Sequence, residues 1–298
     1  MPVDFTLKES GSLHSFYANK DYSLFGVIGN PISHSKSPEL HNQWLKLSGL
    51  SSKAQYIKIN ITNPADLKEI ILTMPKMGFV GCNITVPFKE EVFNIISELE
   101  EQGLARIETI AKNLKAVNCV FFNSKTNIIE AYNTDCKGFT ESIKALNFTR
   151  VLILGAGGSS KAIVSGLISL INTNTESLSI ANRTYQNAKN IELQFSNPFL
   201  TSIKFEEIKI QDYDLIINAT SLGLRAGEYP DIDYNKISKS ALCYDLIYPK
   251  DSPESLTPFL QKCLDSGIDR QQLCNGYTML IGQAAESYKI WTGHEVIF

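Results

Sequence analysis

The stretch VLILGAGGSSKA, residues 151–162, decides the fold. Val151 to Leu154 form the apolar run of a buried strand, glycines follow at 155, 157 and 158, and SSKAIVSGLISL continues with apolar residues at helical spacing. Gly155 and Gly157 let the backbone turn tightly and approach a pyrophosphate, whose charge is favoured by the N–H groups and dipole of the following helix. The third position of the G-x-G-x-x-G pattern is Ser160, so read alone the turn also fits glycines that serve only helix packing.

Downstream, LSIANR (178–183), DLIINAT (214–220) and ALCYDLIY (241–248) alternate with helical stretches. The second of these strands ends in Asn182, Arg183 and Thr184, where an NAD site would carry Asp or Glu for the ribose 2′-hydroxyl. A planar guanidinium matches a 2′-phosphate, which predicts NADP; the alternative is a solvated loop arginine.

Upstream, LFGVIG (24–29), QYIKINI (55–61), FVGCNIT (79–85) and AVNCVFF (116–122) alternate in the same way, with a helix expected from Pro38 towards Gly49. Strands alternating with helices predict an α/β protein with parallel sheets covered by helices on their faces. A chain of 298 residues exceeds one ordinary core, so two domains are expected. Motif placement puts an α/β substrate domain at residues 1–134 with 276–298, and a Rossmann-type doubly wound nucleotide domain at 135–275. The last helix, Met279 to Trp291, is expected to pack back on the first domain, and the first 20 or so residues read as a loosely attached extension.

Composition narrows the partners. The formal net charge is −3 and no run of Lys and Arg makes a basic stripe, which argues against nucleic acid and for a small molecule. Cysteines at 82, 119, 136, 243, 263 and 274 form no CxxC pair and histidines at 14, 34, 41 and 294 are scattered. No metal site is expected, and the cysteines read as reduced thiols. The N-terminus carries no basic segment followed by an apolar one, and no apolar run reaches the roughly 18 residues of a membrane span. A cytoplasmic, non-membrane protein is expected, as a monomer or a homodimer.

Four polar segments stand at the ends of apolar strands, where α/β sheets bind ligands: NPISHSKSP (30–38), NITVPFKE (83–90), KAVN (115–118) and YNTD (132–135). Extended backbone between Ser35 and Ser37 would point both hydroxyls to one side, suiting a carboxylate; either serine alone also fits a helix cap. Thr85 and Lys89 flank Pro87, whose ring stiffens the turn. Asp135 would orient and neutralise Lys89, making a pair able to move a proton while hydride moves at the neighbouring carbon. Asn118, both donor and acceptor, suits a polyhydroxylated ring.

From about Phe25 to the C-terminus these motifs resemble those of the shikimate dehydrogenases. The resemblance puts the family's carboxylate clamp on Ser35 and Ser37, its substrate threonine and catalytic lysine on Thr85 and Lys89, its asparagine on Asn118 and its catalytic aspartate on Asp135. Tyr248 in DLIYPK and Gln283 in MLIGQAA look like two further substrate residues. The cofactor segments fall on Gly155, Ala156, Gly157, Gly158 and Ser159, on Asn182, Arg183 and Thr184, on Thr220 and Ser221 in NATSLG, and on Gly276. This implies reversible NADPH-dependent reduction of 3-dehydroshikimate to shikimate, a step of aromatic amino-acid biosynthesis. Lys115 stands where the family usually has glycine, Cys119 and Cys136 also depart from it, and Asn275 with Tyr277 alters the approach to the last helix. Asn187 replaces a second basic residue common in NADP-preferring members, with Lys161 as a possible substitute. A broader quinate/shikimate dehydrogenase using NAD or NADP, or a non-catalytic ligand-binding relative, remain the alternatives.

Overall fold

A computed structural model describes residues 4–6, 22–33, 35–171, 175–225, 227–249, 252 and 254–296. The chain forms two compact units, residues 1–134 with 283–298, and 135–282. The return to the first unit thus falls at Gln283, inside the last helix, rather than at residue 276.

The first unit has strands β1 (Asp4–Thr6), β2 (Ser23–Gly29), β3 (Ala54–Asn60), β4 (Phe79–Ile84), β5 (Ala105–Ile107), β6 (Cys119–Asn123) and β7 (Ile128–Tyr132). Its helices are α1 (Ser37–Leu47), α2 (Leu67–Thr73), α3 (Lys89–Glu101) and α4 (Thr109–Leu114). The seven-stranded sheet has the order β1-β3-β2-β4-β6-β7-β5. It is mixed rather than parallel, because β6 runs antiparallel to both β4 and β7. A hairpin causes the reversal: β6 and β7 are joined by SKTN, in which Asn127 takes a left-handed conformation (φ 57°), one that asparagine tolerates in turns. Asp4 to Thr6 pair in parallel with β3, so these residues of the expected extension belong to the sheet; the rest of the extension, residues 1–3 and 7–21, lies outside the described residues.

The core of this unit gathers Ile28, Ile57, Ile59, Ile84 and Val120 from the sheet with Leu67, Ile71, Val92 and Ile96 from α2 and α3. Each such side chain contributes about 1.5–3 kcal/mol by leaving water. Trp291, near the chain end, lies so close over β4 that a Cβ on Gly81 would come within 2.2 Å of the indole nitrogen. That nitrogen donates to the Val120 carbonyl at 3.0 Å, so the end of the last helix packs on the first unit's sheet, as expected.

The second unit has strands β8 (Arg150–Leu154), β9 (Ser177–Ala181), β10 (Leu200–Ile203), β11 (Leu215–Asn218), β12 (Leu242–Asp245) and β13 (Leu273–Asn275). Its helices are α5 (Asp135–Ile143), α6 (Gly158–Ser169), α7 (Tyr185–Phe195) and α8 (Pro258–Asp265), and α9 (Tyr277–Thr292) is divided between the units. All neighbours in the order β10-β9-β8-β11-β12-β13 are parallel. Strand pleating feeds two cores, since Val151 and Ile153 join one buried cluster and Leu152 and Leu154 the other. The chain winds outward from β8 to β10, then restarts at β11 on the other side of β8. Ligands of such sheets bind outside the carboxyl ends of the strands at that switch point.

Candidate active site

In the first unit, main-chain bonds interlock the predicted segments. The Thr85 N–H donates to the Ile28 carbonyl at 2.9 Å, and the Ile84 N–H to the Asn118 carbonyl at 2.8 Å. The Val117 N–H donates to the Lys89 carbonyl at 3.0 Å and the Asn118 N–H to the Tyr132 carbonyl at 3.1 Å. Thr85 and half-buried Lys89, the first residue of α3, are thereby held beside Asn118 at the exit of β4. The Val86–Pro87 bond between them is cis. Asn118 is buried and reads the YNTD segment directly: its Oδ1 accepts from the Thr134 N–H at 2.7 Å and its Nδ2 donates to Thr134 Oγ1 at 3.0 Å. Gln283 lies near the same hydroxyl, with 3.5 Å between Thr134 Oγ1 and its Oε1. Asp135 follows Thr134, is buried, and opens α5 as the first residue of the second unit.

The serine pair is built differently from the extended geometry expected. Lys36 between them is helical (φ −88°, ψ −6°) and caps α1, and Ser35 Oγ accepts the Ser37 N–H at 3.3 Å. Two buried hydroxyls are thus brought together by a helix start with Pro38 in its first turn. The AVN segment also differs, since Ala116 to Asn118 precede β6 and follow α4, which ends with Lys115 in the left-handed region (φ 52°, ψ 40°). A glycine-type conformation survives there without glycine.

In the second unit Gly155 takes φ +108°, and a Cβ on it would meet the Ala219 backbone and Thr220 Cγ2 at 2.9 Å, so only glycine lets β8 turn beside the end of β11. Gly157 and Gly158 are exposed and a Cβ on either would meet open space. The turn is braced from two sides. Asn182 Oδ1 accepts the Ala156 N–H at 3.2 Å, and Ser160 Oγ accepts the Gly157 N–H at 3.2 Å. The N–H groups of Gly158 and Ser159 belong to the first turn of α6, where a helix has no internal acceptors for them. An open glycine face before the N-terminus of a twelve-residue helix fits a pyrophosphate.

Around that turn, Arg183 is exposed and makes no ion pair with a described residue; Thr184 is the N-cap of α7, where its hydroxyl makes no capping bond. Thr220 spends its hydroxyl on Asn218 Oδ1, at 2.7 Å, and on the Leu222 N–H, at 3.1 Å, so it shapes the turn after β11, while Ser221 is exposed. Gly276 is packed so tightly that a Cβ would lie 2.1 Å from the Leu246 carbonyl oxygen. Tyr248 is half-buried beyond β12.

Asp245, at the end of β12, has no counterpart in the sequence expectations. Burial pushes its carboxyl up to about 7, opposed by bonds from Thr257, the Ile247 N–H and Asn218. Only its neighbours within DLIY were conspicuous as letters, because an aspartate in an apolar run reads equally well as a strand end. Among the described residues no cluster of His, Cys, Asp or Glu is placed to hold a metal ion, and no helix is long and apolar enough to cross a membrane.

A doubly wound unit with a glycine turn at its switch point, joined to an α/β unit carrying a serine pair, a lysine and an asparagine, defines a two-domain dinucleotide-linked enzyme. Three family models cover most of the chain: the shikimate dehydrogenase substrate binding domain at residues 27–120, shikimate / quinate 5-dehydrogenase at 139–257, and the shikimate 5′-dehydrogenase C-terminal domain at 276–296. The chain is 37% identical to the shikimate dehydrogenase (NADP(+)) of Pelagibacter ubique, over 92% of this chain and 94% of that one. The crystal structure of shikimate dehydrogenase from Aquifex aeolicus superposes with a TM-score of 0.79 at 32% identity, covering 94% of this chain and 96% of that one. The Thermus thermophilus shikimate 5-dehydrogenase, in complex with NADP(H) and shikimate, gives 0.74 at 28% identity, covering 92% and 95%. The chain belongs to the shikimate dehydrogenase family.

Proposed function

We propose that this chain catalyses the reversible NADP-linked reduction of 3-dehydroshikimate to shikimate. The observation that carries the reading is the interlocking of Thr85, Lys89 and Asn118 at one strand exit, in the unit that also holds the serine pair. Ser35 and Ser37 bind the substrate carboxylate together with Tyr248, and Thr85, Asn118 and Gln283 bind the ring hydroxyls. Lys89 gives a proton to the carbonyl oxygen as that oxygen becomes the alcohol, and Asp135 orients it and balances its charge. When bound, NADPH would supply the hydride to the carbonyl carbon. Gly155 to Ser159, braced by Asn182, would hold its pyrophosphate, and Arg183 with Thr184 its 2′-phosphate; Thr220, Ser221 and Gly276 would shape the remaining wall. The same reading makes the protein a cytoplasmic enzyme, as a monomer or a homodimer.

Purified protein is expected to reduce NADP when given shikimate. Lys89→Ala and Asp135→Asn should each lower kcat by roughly 100- to 10,000-fold, the range for a lost general acid–base, with the melting temperature held. Turnover unchanged in both variants overturns the assignment. Exposed, uncharged Asn187 favours one second reading, a wider range that includes NAD and quinate. Specificity constants for the four substrate and cofactor pairs separate the two.

A further inference from the structure

Beside Asn118 runs a chain of buried polar side chains that none of these roles uses. The Tyr56 phenol, on β3, donates to Asn83 Oδ1 at 2.8 Å. Asn83 gives one amide proton to the Asn118 carbonyl at 3.1 Å and the other to Ser287 Oγ at 2.9 Å. Ser287, on α9, donates to the Gln283 carbonyl at 3.0 Å and lies 3.2 Å from Thr134 Oγ1. Thr134 in turn holds Asn118 from both ends of its amide. Tyr56 and Ser287 are fully buried, and Asn83 and Thr134 nearly so.

Donor and acceptor chemistry fixes the direction of each link. A backbone carbonyl only accepts, so the nitrogen end of the Asn83 amide faces Asn118 and its oxygen end faces Tyr56. An amide oxygen only accepts, so Tyr56 donates its one proton there. Burial pushes the Tyr56 phenol well above its ordinary range, and it stays a donor. Tyr56 is thus tied through Asn83 to the backbone that carries Asn118, and through Asn83 and Ser287 to the turn of α9 that carries Gln283.

We propose that Tyr56 and Ser287 are positioning residues which, through Asn83, set the spacing between the amides of Asn118 and Gln283, and so the fit of the ring hydroxyls of a cyclic polyol carboxylate. The inference rests on the substrate assignment above. Its test is steady-state kinetics on the full chain with shikimate and NADP. Tyr56→Phe and Ser287→Ala should each raise the shikimate KM roughly tenfold, as expected when a buried partner is left unpaired, while the KM for NADP stays at the wild-type value. Because both act through Asn83, adding Tyr56→Phe to Ser287→Ala should raise the shikimate KM by no more than about twofold further. Independent, multiplying effects in that cycle overturn the proposal, as do lowered melting temperatures with an unchanged shikimate KM. If Tyr56→Phe does not fold, Ser287→Ala decides alone by its shikimate KM. A wild type that does not oxidise shikimate removes the substrate assignment and this inference together; an active wild type with a multiplicative cycle removes this inference only.

Discussion

His41, on α1, is a buried histidine whose ring nitrogens have no hydrogen-bond partner among the described residues. Its ring stacks on Tyr56 at 4.2 Å and 4°, and Trp44 and Trp291 stand 5.2 and 5.3 Å away. Burial in this aromatic box pulls its pKa from 6.5 down to about 3. The unfolded chain therefore binds a proton in a range where the folded chain does not, and stability falls as pH drops below the unfolded value. At pH 7.5 both states are neutral; at pH 5.0 the unfolded state is favoured over about 1.5 pH units at roughly 1.4 kcal/mol each, or about 2 kcal/mol. His41→Phe keeps the ring and removes the proton site. Urea unfolding followed by tryptophan fluorescence reads the right unit, because Trp44 and Trp291 are the chain's only two tryptophans and both lie in the first. Relative to wild type, the variant should gain about 2 kcal/mol between pH 7.5 and 5.0. A stability gap of the same size at both pH values refutes the reasoning.

Arg183→Ser should raise the KM for NADP roughly 10- to 100-fold, the worth of charged hydrogen bonds to a phosphate, and leave the KM for NAD nearly alone; an unchanged ratio contradicts the 2′-phosphate assignment. Lys115→Gly relieves a left-handed conformation (φ 52°), and should stabilise by about 1 kcal/mol, raising the melting temperature by about 2 °C with kinetics unchanged. Gly81→Ala drives a Cβ to within 2.2 Å of the Trp291 indole; displacing that ring should cost about 3 kcal/mol in urea unfolding and shift the tryptophan emission.

Much of the second unit was legible because its strands are continuous apolar runs buried on both faces, and because a strand ending in glycines before a helix has few structural meanings. The first sheet was less so. Its hairpin is announced by NSKTN between two apolar stretches, a turn signal that the expectation of uniform alternation passed over. The serine pair was found for a geometric reason the structure replaces, since helical Lys36 rather than extended backbone brings the hydroxyls together. Tyr56 and Ser287 leave no local signal at all. One sits in an alternating strand and the other in a helix more than 200 positions on, and only tertiary contact makes them neighbours.

The serine at the third position of the glycine pattern illustrates how a departure becomes a part of the site. Read as letters, Ser160 weakens the fingerprint, because glycine there normally allows close helix–strand packing. In the folded chain Ser160 is fully buried and its hydroxyl takes the Gly157 N–H, while Asn182 takes that of Ala156. Two of the donors that an unbraced turn would offer a phosphate are thus spent on fixing the turn's shape, which concentrates the remaining supply on Gly158 and Ser159 at the start of α6. A turn held in this way loses less freedom when a pyrophosphate arrives, so fewer donors are offset by better preorganisation. On the proposed assignment it also couples the two halves of cofactor recognition: Asn182, which braces the glycine turn, immediately precedes Arg183, and its Nδ2 donates to the Thr184 carbonyl at 3.0 Å. A shift of the β9 end that moved the guanidinium would therefore also loosen the glycine turn.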